Sequence, residues 1–213
     1  MGNLITPADA VAIPRHWSST FLNNDALSSV QTYLFTDKSF VTHFTPKIGV
    51  EGPKAHSHGG FLATILDETM GSACWYNGLP VLAANLSVRY RKSVPLGDSY
   101  ICEARIDRLE TRRAMVAARI YKDDTTFCEA TGVFVRVPIE LLKQQPDMVR
   151  MVEVVESIKA GGSIHELIER DRARRAMSEK PAADLQNIID RGQKIAGETL
   201  ALAADFFKTI TRN

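Results

Sequence analysis

A histidine, two glycines and an aspartate within ten residues are the part of this sequence best suited to chemistry: His58, Gly59, Gly60 and Asp67. The glycines come at the start of a predicted helix, and without side chains they let a ligand approach the main chain. The first N–H groups of a helix lack intrahelical partners and lie at the positive end of its dipole. Such groups can bind a carbonyl oxygen that becomes negative during acyl transfer, although a tight turn without any ligand gives the same pattern.

Asp67 is the candidate for acid–base chemistry. It follows Gly60 by seven residues, which is two helical turns or about 10 Å along the axis. Its neighbours are apolar, and burial would raise its pKa towards the range that suits a general base. The alternative is a structural aspartate that is bonded to Thr64 or to a strand. Glu68 competes for the catalytic role, but one helical step turns a side chain by about 100°, so we expect only one of these carboxylates to face the cleft.

The other reactive side chains have simpler interpretations. His58 either orients the turn that starts the helix or takes part in catalysis. His56 and His58 are a possible metal pair, but no further cluster of ligands completes a site, so we predict no metal. Three cysteines are scattered through the chain and are predicted to be core side chains rather than nucleophiles: Cys74, Cys102 and Cys128.

The helix that carries Asp67 is predicted to be buried and to lie against a sheet. Apolar residues surround nearly its whole circumference from Phe61 to about Tyr76, and Asn77-Gly78 ends it. One or two strands are predicted over 34–45. Four more are predicted where apolar and polar residues alternate, over 81–90, 100–106, 114–120 and 127–137. Short connections between the last four favour an antiparallel meander. One buried helix against one antiparallel sheet is an α+β fold.

The chain divides into three predicted regions: a lead-in over 1–34, the organised domain over 35–138 and a helical extension over 139–213. In the lead-in, Asn24 is predicted to cap a short helix through Tyr33. Three helical segments are predicted in the extension: 139–158 with an interruption at Pro146, a helix capped by Ser163 and Glu166, and a segment that starts at Pro181. We expect these helices to pack on the domain or on a partner subunit.

Composition excludes several classes of protein. The chain has 213 residues, 45% of them apolar, and a net charge of +1, so no strong field attracts nucleic acid or an anionic membrane. No apolar run is close to the length of about 18 residues that a transmembrane helix needs. Residues 1–6 fit the loose myristoylation pattern, but one acyl chain anchors a protein only marginally. We therefore predict no nucleic-acid partner and no stable insertion into a membrane.

The segment from His58 to Asp67 resembles the HGG…D signature of hotdog-fold acyl-CoA thioesterases. The later segments 84–92, 95–97 and 129–134 are similar to the same family. Within it, the sequence most resembles thioesterase superfamily members 4 and 5, which have a phenylacetate-type thioesterase domain. The resemblance covers about residues 35–138. It implies a hotdog fold, in which an antiparallel sheet wraps around a long central helix, and two subunits that pair their sheets and form active sites at their interface.

The resemblance also implies roles for individual residues. The amide of Gly60 or Gly59 would polarise the thioester carbonyl, His58 would orient the thioester or the turn, and Asp67 from the partner subunit would activate water or attack directly. The remaining substrate-binding candidates are Asn85 and, for the phosphates of CoA, the cations Arg89, Arg91, Lys92 and Arg112. The implied function is hydrolysis of an acyl-CoA, with a fatty acyl group expected, to the free acid and CoA. We expect a homodimer or homotetramer, no cofactor apart from the CoA of the substrate, and a cytoplasmic or mitochondrial location.

One departure from the family pattern leaves an alternative open. Relatives carry Ser or Thr on the strand that faces the catalytic carboxylate, and the matching residue here is Ala83. Asn85 or Ser87 could replace that hydroxyl, since a period of two places them on the same face. Without it, the chain could be a catalytically weak module that binds acyl-CoA or an acyl carrier. An accessible Asp67 carboxylate favours the enzyme, and one held in a closed hydrogen-bond network favours the module.

Overall fold

The computed structural model describes residues 8–177. The chain divides into two compact units, Met1–Ile168 and Glu169–Asn213, and the first contains the whole sheet and its central helix. The segment predicted to start at Pro181 and the myristoylation pattern lie outside the described residues. No helix of the described residues is both long and apolar enough to cross a membrane.

Seven antiparallel strands form one sheet: β1 Ala10–Ile13, β2 Ser28–Phe35, β3 Phe40–Pro46, β4 Val81–Tyr90, β5 Tyr100–Leu109, β6 Arg113–Lys122 and β7 Thr125–Arg136. Their spatial order is β1-β2-β3-β5-β6-β7-β4. Helix α1 spans Gly59–Trp75, and α2 and α3 span Ile139–Leu142 and Val149–Lys159. Residues 164–177 are also helical and form α4. Among the described residues, single 3-10 turns occur at Arg15–Trp17, Ile48–Val50 and Pro146–Met148.

Helix α1 lies in the centre of the core, as the apolar pattern predicts. Ile65, Leu66 and Met70 are fully buried, and the helix contacts β3, β4, β5, β6 and β7. The sheet approaches α1 closely at Gly132, where a Cβ would lie only 3.3 Å from Cε of Met70 on the helix. A sheet that wraps one central helix in this way is the hotdog fold, so this expectation is confirmed. The helix ends before Gly78, whose φ of 78° requires the left-handed conformation that glycine adopts without strain.

Two predictions about the sheet are wrong. β4 does not join the meander, because after α1 the chain emerges at the far side of the sheet and β4 pairs with β7 instead of β5. The helix from Asn24 to Tyr33 is replaced by β2, in which Ser28, Val30 and Thr32 are buried at alternate positions. Asn24 instead forms a turn in which its side-chain oxygen accepts a hydrogen bond from the N–H of Ala26. The sheet therefore begins before residue 35.

The first two helical segments of the extension follow the prediction. The turn at Pro146–Met148 separates α2 from α3, as expected of a proline within a helical segment. Ser163 and Glu166 form a reciprocal cap, in which the N–H of Glu166 donates to Ser163 Oγ at 3.2 Å and the N–H of Ser163 donates to a carboxylate oxygen of Glu166 at 3.5 Å.

Candidate active site

The turn that starts α1 is held by the side chain of His58. The N–H of Gly60 donates to His58 Nδ1 at 2.9 Å, and the N–H of Phe61 donates to the His58 carbonyl at 3.0 Å. The preceding turn packs tightly on this residue, since a Cβ at Gly52 would lie 2.8 Å from the Cα of His58. His58 and Gly60 are exposed. His58 thus orients the turn by capping the helix, which was one of its two predicted roles.

The two glycines differ in what their N–H groups do. The Gly60 N–H is occupied by His58, so a carbonyl oxygen can bind there only if the imidazole moves away. Within the described residues, the N–H of Gly59 donates no hydrogen bond. The carbonyl of Gly59 accepts a hydrogen bond from the Tyr90 hydroxyl at 2.9 Å, which ties the turn to the end of β4. Of the two N–H groups, that of Gly59 is therefore the one available to donate a hydrogen bond to an oxyanion.

Asp67 lies half-buried on α1, at the wall of a cavity of about 680 Å³. Its Oδ1 is fully buried, and among the described residues it has no hydrogen-bond partner. Burial raises the pKa of the Asp67 carboxyl above its ordinary value. The bond to Thr64 that we considered is not formed, because the Thr64 hydroxyl donates to the Gly60 carbonyl at 2.9 Å. Asp67 thus lines an open cavity, and among the described residues no closed network of hydrogen bonds holds its buried oxygen.

Glu68 lines the same cavity as Asp67, so the expectation that only one of the two carboxylates faces it is wrong. The cavity is wide enough to include two side chains that leave the helix about 100° apart. Burial raises the pKa of Glu68, a hydrogen bond from Ser19 lowers it, and the negative charge of Asp67 raises it again. The two carboxylates therefore interact electrostatically.

The other walls of the cavity combine aromatic and polar side chains. They include Trp17, Ser19, Ser72, Trp75, Tyr76, Phe134, Met148, Arg150 and Met151. No sequence pattern links the segments around residues 17 and 150 to Asp67, so Trp17, Ser19 and Arg150 were not predicted. Residue types indicated Asp67 and Glu68 on α1, and the family resemblance indicated Ala83.

Ala83 also lines this cavity, whereas Asn85 and Ser87 are not among its described lining residues. The reason lies in β4, where the pairing with β7 shifts register between Ala83 and Asn85. Such a bulge inserts one residue and interrupts the period of two. The assumption that residues 83, 85 and 87 share a face therefore fails at this point, and neither Asn85 nor Ser87 replaces a hydroxyl at Ala83.

The predicted CoA-binding cations do not all lie together. Arg89, Arg91 and Lys92 are exposed at the end of β4, next to Tyr90 and hence close to the turn of Gly59. Arg91 forms an ion pair with Glu129 at 2.6 Å. Arg112 lies at the opposite end of the sheet, beside Pro80 and Arg136. Three of the four cations therefore flank Tyr90, whose hydroxyl contacts the glycine turn.

The three cysteines are buried and unpaired, as expected of core side chains. Burial raises the pKa of Cys74 and Cys102 to about 12 and that of Cys128 to about 11. A thiol with such a pKa is not a nucleophile near neutral pH. Within residues 8–177, no three His, Cys, Asp or Glu side chains are grouped so that they could hold a metal ion.

Comparison with known proteins shows a similarity to one family. Residues 55–129 match the sequence model of the thioesterase superfamily. The chain is 32% identical over 107 residues to the acyl-coenzyme A thioesterase THEM4 of Xenopus laevis. The aligned residues cover 49% of this chain and 48% of the relative. It is 26% identical to the human acyl-coenzyme A thioesterase THEM5, over 49% of this chain and 43% of the relative.

The chain thus spans about half the length of the curated relatives it matches. A crystal structure of a thioesterase superfamily protein is similar over 50% of this chain and 53% of that chain, with 29% identity and a TM-score of 0.48. The residues that match the superfamily model contain the glycine turn, Asp67, Glu68 and Ala83. Residues 16–20 and 148–151, which complete the cavity, lie outside the matched residues.

Proposed function

We propose that this chain hydrolyses acyl-CoA thioesters to the free acid and CoA. The observation that carries the proposal is Asp67, which lines a cavity of about 680 Å³ and has one buried carboxylate oxygen without a hydrogen-bond partner among the described residues. Its raised pKa suits general-base catalysis. Apolar walls such as Trp75, Phe134 and Met151 suit the hydrocarbon part of an acyl group, in line with the fatty acyl expectation.

In the simplest mechanism, Asp67 removes a proton from water while the water oxygen bonds to the thioester carbonyl carbon. The carbonyl oxygen becomes negative and is stabilised by the N–H of Gly59, and by that of Gly60 if His58 moves away. The C–S bond then breaks, and the departing thiolate of CoA takes the proton from Asp67. The alternative is direct attack by the carboxylate, with an anhydride that water hydrolyses afterwards.

Two copies of the chain are needed for this mechanism. Gly60 and Asp67 are separated by about 10 Å along α1, and residues 58–60 are not among the described residues that line the cavity. One carbonyl therefore cannot contact both groups of the same chain. We propose that Asp67 and the glycine turn come from different subunits of a homodimer, or of a homotetramer built from dimers.

β4 is the edge at which these copies would pair. Among the described strands only β7 pairs with it, and its Leu82 and Tyr90 are 61% and 51% exposed. An unpaired edge with exposed apolar side chains favours addition of another strand. Arg89, Arg91 and Lys92 would then lie near the interface and bind the phosphates of CoA, while Arg112 could contribute only from another copy.

Ala83 keeps the alternative of a weakly active binding module open, because this wall of the cavity offers only a methyl group. Release of free CoA from a panel of short to long acyl-CoAs, measured with the wild type and Asp67→Asn, separates the two functions. Turnover that falls at least a hundredfold in the variant supports the hydrolase. Tight acyl-CoA binding without turnover in the wild type refutes the hydrolase and supports the module.

Mixing two inactive variants tests whether the site is shared. Asp67→Asn removes the carboxylate, and Gly59→Val adds a branched side chain to the turn, where the Cβ alone would lie 3.4 Å from the Tyr90 ring. A mixed dimer with the site divided between subunits has one intact site, so unfolding and refolding an equal mixture should restore about a quarter of the wild-type activity. Refolding each variant alone is the control. No recovery in a mixture that forms dimers contradicts the shared site.

A further inference from the structure

The start of helix α3, residues 148–151, forms part of the wall of the Asp67 cavity. Met148, Arg150 and Met151 line this cavity, although all three lie outside the residues that match the superfamily model. Met151 is partly buried and packs against the core. Val149 is 54% exposed and is not among the described residues that line the cavity. This segment, the α3 turn, therefore contributes its two methionines to the wall and not its valine.

A stack of side chains fixes the α3 turn at the end of α1. The guanidinium of Arg150 lies 5.3 Å from the centre of the Trp17 ring. The Trp17 and Tyr76 rings are parallel, with 6.5 Å between their centroids, and Tyr76 follows α1 directly. Further along α3, the Ile158 side chain would lie only 3.0 Å from a Cβ at Gly78. A cation–π contact and apolar packing thus hold α3 against the C-terminal end of α1.

The cavity extends along α1 from Asp67 to this end of the helix. Its helical wall includes Asp67 and continues to Tyr76, a distance of about 13 Å along the axis. The apolar side chains of Trp75 and Phe134 also line it. A fully extended chain advances by about 1.2 Å per bond. An acyl group of about ten carbons would therefore reach from Asp67 to the α3 turn.

We propose that Met148 and Met151 form the far end of the acyl pocket and set the longest acyl chain that it holds. The inference rests on the proposed hydrolysis, because that function places the thioester carbonyl at Asp67 and directs the acyl chain into the cavity of the same subunit. Up to the limit, each added methylene group leaves water and is buried. A longer chain must displace the methionines or turn back into water, so its additional carbons contribute no further binding.

A series of saturated substrates from butanoyl- to palmitoyl-CoA tests the proposal. The kcat/KM is measured from CoA release, at concentrations below those at which the longer substrates form micelles. In the wild type, we expect kcat/KM to rise by about fourfold for each added methylene group. The rise should stop where the chain reaches the methionines, at about ten carbons.

Replacing either methionine should move this limit. Met151→Ala removes the outer part of the side chain and should shift the limit to acyl chains that are about two to three carbons longer. Met148→Ala should act in the same direction, and it gives a second test if Met151→Ala does not fold. Met151→Leu keeps nearly the same volume and should leave the limit in place. Val149→Ala is the matched control from the same turn, and its limit should equal that of the wild type.

Two results would overturn the inference while leaving the hydrolase intact: a kcat/KM that keeps rising up to palmitoyl-CoA in the wild type, or a limit that stays at the same chain length in both alanine variants of the methionines. A wild type that releases no CoA from any substrate contradicts the proposed hydrolysis instead. Calorimetric titration with the same series then gives the limit from Kd values, and the same two results decide against the role of the methionines.

Discussion

Replacing Asp67 by asparagine should stabilise the fold while it removes activity. The buried Oδ1 has no hydrogen-bond partner among the described residues, and burial raises the pKa of the carboxyl. At neutral pH the folded chain therefore holds a poorly compensated charge. Removing it should increase the free energy of unfolding by about 1 kcal/mol, which raises Tm by about 2–4 °C for a chain of this size.

The stabilisation should depend on pH in a defined direction. Because the pKa of Asp67 is higher in the folded than in the unfolded chain, the folded state binds more protons between the two pKa values. The destabilising contribution of Asp67 is therefore lost as pH falls through the folded pKa, where the carboxyl becomes neutral. The difference in Tm between the variant and the wild type should be largest at neutral and alkaline pH and should shrink in acid.

The loss of activity should be much larger in free-energy terms. General-base catalysis contributes about a hundred- to ten-thousandfold in rate, or about 3–5 kcal/mol of transition-state stabilisation. Thermal unfolding and CoA release measured on the same preparations would show both effects, with Glu68→Gln as the control for the neighbouring carboxylate. Lower stability together with lower activity would indicate a structural role for Asp67. Nearly unchanged activity would refute its catalytic role and transfer the assignment to Glu68.

Three further predictions concern the elements around the site. The kcat/KM of the wild type should fall as pH decreases through the raised pKa of Asp67. The fall should occur at a higher pH than for an ordinary aspartate, whose pKa is about 4. A profile that stays flat through that range would contradict the assignment. Tyr90→Phe removes the hydrogen bond to the Gly59 carbonyl and should cost about 1 kcal/mol in urea unfolding and several-fold in kcat/KM, whereas unchanged kinetics would show that the turn needs no such support. Gly132→Ala places a Cβ 2.7 Å from the buried Phe134 ring and should destabilise the fold by about 1–3 kcal/mol in thermal unfolding. The Cβ of Gly71→Ala would make only an ordinary 3.9 Å contact, so this variant should stabilise α1 by about 0.5–1 kcal/mol in the same assay.

The parts of the fold that the sequence predicts are those with a regular local pattern. The apolar run of α1, the alternation over 100–106 and the cap formed by Ser163 and Glu166 are all set by residues that are neighbours in sequence. The place of β4 at the far edge is not, because the choice between β5 and β7 as its partner depends on the whole sheet. A wrong helix was predicted near Tyr33 because the cap signal of Asn24 also fits a turn.

The candidate site divides in the same way. The glycine turn and Asp67 could be identified from residue types and spacing on one helix. Residues 16–20 and 148–151 could not, since they reach the cavity only through tertiary packing. The bulge after Ala83 changes which side chains of β4 share a face, and a strict period of two does not reveal it. The predicted domain boundaries and the cytoplasmic or mitochondrial location stay predictions.

The pairing of β4 with β7 also has a consequence for how the chain is made. Val81 pairs with Arg136. At a synthesis rate of about 5–20 residues per second, roughly three to ten seconds separate the synthesis of these two residues, and β4 has no partner strand during that interval. During that interval α1 has already left the ribosome, and its apolar surface is not yet covered by β5, β6 and β7. Nascent chains that end between these strands are therefore the species most prone to aggregate and most dependent on chaperones.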